Sequence, residues 1–377
     1  MAPAELQITS AAGSRTRRIV SCMSCTGSYA TGGADSPQPS RPRDTIARAR
    51  FKDGETASER KRRALCGETA PLPTRTASPM IFEPRHVEHY RRHGFAIVED
   101  FLSPAELTAA RSELTEILPG WVEYCDDPSN GKPKDWNAPF VPGRGYTRFP
   151  YPGTALNAIT LHPELRRFAA LMVGHDDLFC EQSHVQVKCR GHHADRDQVM
   201  HCDFGNHTLA YPPRDPAYWQ TAYLVYYTDV DADHAPTAIC SWEHYPERIR
   251  WPAHYSREER PALYEREVRV TVPAGSLLAY SMRTFHRGTP FRADGGRIGQ
   301  FITYAPAAWK WLGITGWSAE AIRPEFRAWI ETATPAERYA FGFPAPGHPY
   351  WTDETLDGVA ARYPGMDMAP YRDAART

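Results

Sequence analysis

The sequence predicts a mainly β protein with flanking helices, a sandwich or jelly roll rather than a parallel α/β sheet. Two observations carry this. Between residues 178 and 304 seven short segments, apolar or alternating, follow one another between Gly, Pro and Asp turns. The helical signals sit before and after that run, whereas a parallel sheet would interleave them with the strands.

The elements follow in order. Glu83 to His93 reads as a short helix with Val87 and Tyr90 on one side, ended by Gly94. Phe95-Ala96-Ile97-Val98 reads as a strand. Ser103-Pro104-Ala105-Glu106 is a capping box with Pro in the first helical position, and its helix runs to about Leu118, where Pro119-Gly120 stops it. Residues 121–158 are dense in Pro, Gly and Asp and are expected to form a long ordered loop. Pro163 to Val173 is a further helix closed by Gly174. Strands are expected at Leu178–Cys189, Gln198–Cys202, Gln220–Thr228, Thr237–Ser241, Val268–Val272, Ser276–Ser281 and Gly299–Tyr304. From about Ser318 the chain turns helical and then loop-like. Trp309, Trp311, Trp317 and Trp329 are expected to be packing residues.

The chain has 377 residues, 41% hydrophobic and 24% charged, with a net charge of -1. That balance gives no argument for nucleic acid or membrane binding, and no apolar run approaches the ~20 residues of a membrane helix. Residues 1–79 are rich in Ser, Thr, Ala, Pro, Gly and Arg, lack an apolar period, and are expected to be disordered. Pattern begins directly after Met80, which favours Met80 as the biological start over a targeting peptide. Residues 80–377 are then expected to be one domain, with a core at about 178–306 and a helical and loop-like part at 307–377. The eight cysteines are read as reduced thiols of a cytoplasmic protein, Cys22-Met23-Ser24-Cys25 as an isolated CxxC without a site, and the sequon at Asn206 as without meaning.

Chemistry is concentrated in two segments. The first is Val199-Met200-His201-Cys202-Asp203-Phe204; the second is Phe285-His286-Arg287-Gly288-Thr289-Pro290, with Arg297 eleven positions after its histidine. Two His and one carboxylate, with further positions open, form the ligand set of non-haem Fe(II) oxygenases. A guanidinium fork suits a carboxylate on a co-substrate. The His-x-acid pattern alone is weak, since the chain has five: His86/Glu88, His162/Glu164, His175/Asp177, His193/Asp195 and His201/Asp203. The first two lie in or beside helices, where i and i+2 do not face each other, and the third lies in a turn. His193 competes from a polar loop. His201 is preferred because side chains at i and i+2 of a strand share a face and a strand holds a site more rigidly than a loop.

These segments, with three others, resemble the phytanoyl-CoA dioxygenase family of Fe(II)- and 2-oxoglutarate-dependent oxygenases. The others are His89 to Val98 continuing through Phe101-Leu102-Ser103-Pro104, then Tyr226-Tyr227-Thr228-Asp229-Val230-Asp231, and Gly275 to Tyr280 leading to His286. The resemblance covers roughly residues 85–310. It implies a double-stranded β-helix, a cupin-like jelly roll, with Fe(II) held by His201, Asp203 and His286. It implies 2-oxoglutarate and O2 as co-substrates, ascorbate as a stimulant, and Arg297 on the far carboxylate. Gln186 and Lys188 are candidates for further co-substrate contacts, and Trp219 for a pocket wall.

The chain departs from the family where a Ser or Thr often stands two residues past the distal His. Gly288 is there, and Thr289 is the nearest hydroxyl. It departs again at His234-Ala235-Pro236 and Cys240 to His244, on the substrate side. The retained Asp203 argues for hydroxylation over halogenation. The expected activity is hydroxylation of a small organic substrate by a monomer or homodimer. The rivals are a non-catalytic metal-binding jelly roll, which has no use for Arg297, and a zinc hydrolase, which would want a general base near the ligands.

Overall fold

The computed structural model describes residues 81–133, 148–191, 196–208, 215–245, 253–309, 312–313, 316–320 and 323–375. The expectations for residues 1–79, for the His193/Asp195 pair and for Trp311 lie outside the described residues.

The chain enters through α1 (Pro84–His93), which Gly94 ends at φ 81. Without a Cβ, Gly94 adopts that left-handed angle freely. It also leaves room for Trp242, whose indole would lie 2.3 Å from a Cβ placed there. Strand β1 (Phe95–Val98) follows, then α2 (Pro104–Ile117). The predicted capping box forms: Ser103 Oγ accepts from Glu106 N–H at 3.3 Å, and Glu106 Oε2 accepts from Ser103 N–H at 2.9 Å.

The 121–158 segment is more helical than expected. It holds α3 (Trp121–Asp126) and most of α4 (Ala155–Thr160). Buried Trp121, Val122 and Tyr124 hold α3 on the core, so tertiary burial overrides the turn-rich composition around it. The Glu113 carboxylate accepts from Ala155 N–H at 2.8 Å and Leu156 N–H at 3.2 Å, satisfying amides that begin α4. α5 (Pro163–Val173) runs as predicted.

Two five-stranded sheets make the body. One has β2 (Leu178–Cys189), β4 (Thr221–Tyr226), β8 (Leu277–Ser281) and β10 (Gly296–Pro306) with β1, in the order β1-β8-β4-β10-β2. The other has β3 (Met200–His201), β5 (Thr237–Cys240), β6 (His254–Tyr255), β7 (Glu267–Arg269) and β9 (His286–Gly288), in the order β6-β3-β9-β5-β7. Every strand pair is antiparallel. From β2 to β5 and again from β8 to β10 the chain alternates between the sheets, which is the winding of a jelly roll. The fold is therefore mainly β with flanking helices, cupin-like in architecture.

Alternation along the strands separates two apolar clusters. Val185, Val187, Tyr223, Val225, Leu277, Ala279, Ile298 and Ile302 face outward under Tyr90, Leu114, Leu165 and Phe168 of the helices. Phe95, Leu224, Tyr226, Leu278 and Tyr280 face the second sheet. Each fully buried side chain of this size contributes roughly 1.5–3 kcal/mol.

Short helices α6 (Phe204–His207) and α7 (Pro261–Glu265) interrupt the strands. The C-terminal part adds α8 (Trp317–Glu320), α9 (Pro324–Thr332), α10 (Pro335–Tyr339), α11 (Asp353–Arg362) and α12 (Ala369–Ala375). Trp317 and Trp329 pack there around Phe149 and Phe341, while Trp309 stacks on Tyr218 at 4.6 Å. Among the described residues no helix is long and apolar enough to cross a membrane.

Candidate metal centre

β3 is two residues long, shorter than its predicted span. Its pairing extends beyond it through Gln198 N–H to Gly288 O at 3.0 Å and Cys202 N–H to Ala253 O at 2.9 Å. The register places His201 directly opposite His286 on β9, and directly opposed residues of an antiparallel pair share a face. Asp203 reaches the same point differently from the sequence expectation. It lies past the strand, with helical φ -71 and ψ -18 at the start of α6.

The three residues offer ligand atoms within 4.8 Å of one another. His201 Nε2 lies 3.4 Å from Asp203 Oδ1 and His286 Nε2 lies 3.3 Å from Asp203 Oδ2. Each imidazole is turned by its other nitrogen: His201 Nδ1 lies 2.8 Å from Val199 O and His286 Nδ1 lies 3.0 Å from Thr284 O. A carbonyl can only accept, so Nδ1 carries the proton and the Nε2 lone pairs converge on one point. Burial alone would raise the Asp203 carboxyl, but the His286 and His201 imidazoles hold it well below the usual carboxylate range. Burial likewise lowers His201, and Asp203 more than reverses this. Tyr280 O–H donates to Asp203 Oδ2 at 3.0 Å. The sequence carries no sign of this partner, since Leu277–Ser281 reads only as a core strand.

Two imidazole nitrogens and a carboxylate oxygen fit a divalent transition metal that tolerates mixed N and O donors, with ligand positions left over.

The predicted co-substrate residues gather at one end of the β2–β10 pair. Arg297 stands opposite Lys188, and Gly299 opposite Gln186, on one face of the sheet. Lys188 and Arg297 are both buried. Lys188 Nζ donates to Thr289 O at 3.1 Å, three residues past His286. Arg297 Nη1 donates to Ala235 O at 2.5 Å, and its guanidinium lies 5.6 Å from the Tyr226 ring centre. Among the described residues no carboxylate pairs with Arg297, and burial lowers its pKa. The Thr289 hydroxyl donates to Pro236 O at 2.6 Å, so its proton is already committed. Trp219 packs edge-on to Trp242 at 5.2 Å.

The family model for phytanoyl-CoA dioxygenase matches residues 90–299, more than half of the chain. The chain belongs to the phytanoyl-CoA dioxygenase family. No curated protein gives a significant sequence match. Among solved structures the chain is similar to the non-haem alpha-ketoglutarate-dependent carbocyclase SnoK from nogalamycin biosynthesis, with 21% identity over 60% of this chain and 85% of that one, TM-score 0.44. It is also similar to HygX from Streptomyces hygroscopicus, solved with nickel and 2-oxoglutarate bound, with 15% identity over 61% and 89%, TM-score 0.43. The family is one of Fe(II)- and 2-oxoglutarate-dependent oxygenases, and its matched span contains His201, Asp203, His286 and Arg297.

Proposed function

We propose that this chain is an Fe(II)- and 2-oxoglutarate-dependent dioxygenase that hydroxylates a small organic substrate and releases succinate and CO2. The observation that carries the reading is Arg297, a buried guanidinium with no carboxylate partner among the described residues. A buried charge is costly unless it is paired, and like charges directly opposite on adjacent strands repel. Arg297 and Lys188 are so placed. A carboxylate arriving between them pairs with the guanidinium and eases the repulsion, and a dicarboxylate co-substrate brings one while leaving its other end for the metal.

When bound, Fe(II) with 2-oxoglutarate and O2 supplies the oxidising power for C–H hydroxylation. His201, Asp203 and His286 would hold the metal, and Tyr280 would keep Asp203 turned towards it. Arg297 would take the far carboxylate of the co-substrate through its two-pronged fork. Lys188 adds a second cation, and Thr289 holds Lys188 through its carbonyl. Gln186 offers an amide one step along the same face, while Trp219 packs with the outer cluster under the helices. The non-catalytic metal-binding reading gives the buried Arg297 guanidinium no carboxylate to bind.

The test is 2-oxoglutarate turnover by the purified chain with Fe(II) and ascorbate under air, following succinate, with His201→Ala alongside. Turnover by the unsubstituted protein alone supports the reading. If neither protein makes succinate, 2-oxoglutarate is added anaerobically to the Fe(II)-loaded protein. A visible charge-transfer band then indicates turnover coupled to an absent substrate, and its absence favours the binding-protein reading.

A further inference from the structure

The β2–β10 pair slips register once. Thr303 pairs with Gln182 but Tyr304 pairs with Cys180, leaving Glu181 as the extra residue of a β-bulge. Bulges re-aim side chains and recur beside active sites. Glu181 is fully buried. One of its carboxylate oxygens meets His207 Nδ1, and the other accepts from Gln220 Nε2 at 2.6 Å. The His207 carbonyl is fixed as well, accepting from Gln220 Nε2 at 3.2 Å and from Gly313 N–H at 2.9 Å. A fully buried carboxylate needs compensating partners, and the His207 ring and the Gln220 amide supply them. Burial lowers the His207 pKa, and Glu181, with a smaller contribution from Asp203, more than reverses it.

His207 is four residues beyond Asp203 on the single turn of α6. Side chains at i and i+4 of a helical turn share a face, so His207 lies on the side of α6 to which Asp203 turns. Its Nδ1 is used, and its Nε2 makes no hydrogen bond to any described residue. Nearby on the inner row of β2 and β10, His184 and Phe301 stack at 5.1 Å, and His184 feels the His207 charge. Neither metal binding nor the Arg297 end of the sheet requires this arrangement.

We propose that His207 is the polar contact for the oxidised substrate, its Nε2–H donating to an oxygen acceptor, carboxylate or hydroxyl, and that Glu181 is the positioning residue that fixes its ring. The acceptor then lies about one helical turn, ~5 Å, from the metal-facing carboxylate. The inference rests on the oxygenase reading for there being a substrate beside the metal.

The experiment uses the full chain labelled with 15N-histidine, loaded with Zn(II) and saturated with 2-oxoglutarate. Calorimetry first measures both binding steps. Their absence overturns the oxygenase reading and this inference with it. His207 ring signals are identified by their loss in His207→Gln. Cyclohexanecarboxylate and cyclohexanol are then titrated against cyclohexylamine. The expected result is a saturable shift of the His207 Nε2–H signal with at least one oxygen probe and none with the amine, weakened at least about tenfold in Glu181→Gln. A His207 signal that ignores both oxygen probes, or responds equally to the amine, overturns the inference alone. The titration of the unsubstituted protein decides the matter even if Glu181→Gln does not fold.

Discussion

His201 and His286 stand directly opposite each other on adjacent antiparallel strands, their ring centroids 4.6 Å apart, although 85 residues separate them in sequence. The jelly-roll winding makes this possible, because β3 and β9 are neighbours in one sheet although β4 and β8, between them in sequence, belong to the other. Arg287, next to His286, reinforces the placement. It is buried and clamps Glu267 with two bonds of 2.7 Å.

The Asp203 carboxylate depends on Tyr280 for its orientation, since the phenol is the neutral donor to Oδ2. Tyr280→Phe removes one hydroxyl and keeps the ring. Metal affinity is expected to fall ~10–100-fold with the circular dichroism spectrum unchanged. Calorimetric titration with Ni(II) or anaerobic Fe(II) measures this. An unchanged affinity would show that Tyr280 is mere packing.

Arg297→Met is expected to move two properties in opposite directions. Losing a charge-assisted contact of ~1.5–3 kcal/mol raises the 2-oxoglutarate Kd roughly 10- to 150-fold. In the absence of ligand, the same change removes a buried charge that lacks a carboxylate partner among the described residues. The ligand-free protein should therefore become more stable, by ~1 kcal/mol or more. Urea unfolding without ligand, beside 2-oxoglutarate binding, reads both, and a destabilised variant would count against Arg297 as a charge awaiting its partner.

His184 gives the fold an acid-side weakness. Burial, followed by the charges of Arg148 and His207, pushes its pKa down from 6.5 to about 4. Below pH 6.5 the unfolded chain binds a proton that the folded chain refuses. Stability from this group is thus complete above pH 6.5 and lost as pH falls towards 4, up to about 3 kcal/mol in all. Phe301, stacked on the ring at 5.1 Å, accepts an aromatic neighbour, so His184→Phe should flatten this part of the stability–pH curve. An equally steep curve in the variant would assign the effect elsewhere.

Much of this architecture was legible in the sequence, for identifiable reasons. Pro163 and Gly174 bracket α5, and the length of β2 let alternation show; both elements have their predicted limits. His201, Asp203 and His286 were legible through residue type and the strand signals beside them. The two-residue β6 and three-residue β9 were not, since so few residues carry no period. Nor was the Glu181 bulge, because a one-residue slip depends on the partner strand. The α3 helix was hidden by turn-forming neighbours and is set by burial of Trp121 and Tyr124.

Gly288 lets sequence and space be tested together. A Cβ there would stand 2.7 Å from Lys188 Nζ and 2.8 Å from Gln198 Oε1. Gln198 is held in place by the Gly288 N–H at 2.7 Å, and Lys188 is buried and bonded to Thr289 O. Gly288→Ser must therefore push the ammonium aside, and 2-oxoglutarate Kd is expected to rise about tenfold, the worth of one charged contact. Lys188→Met should cost about as much. If both act through the same ammonium, the double variant is no worse than either single one, because changes that share a contact are not additive. Additive losses in a double-mutant cycle of 2-oxoglutarate binding would separate the two residues, and would mean that Gly288 is small for a reason other than making room for Lys188.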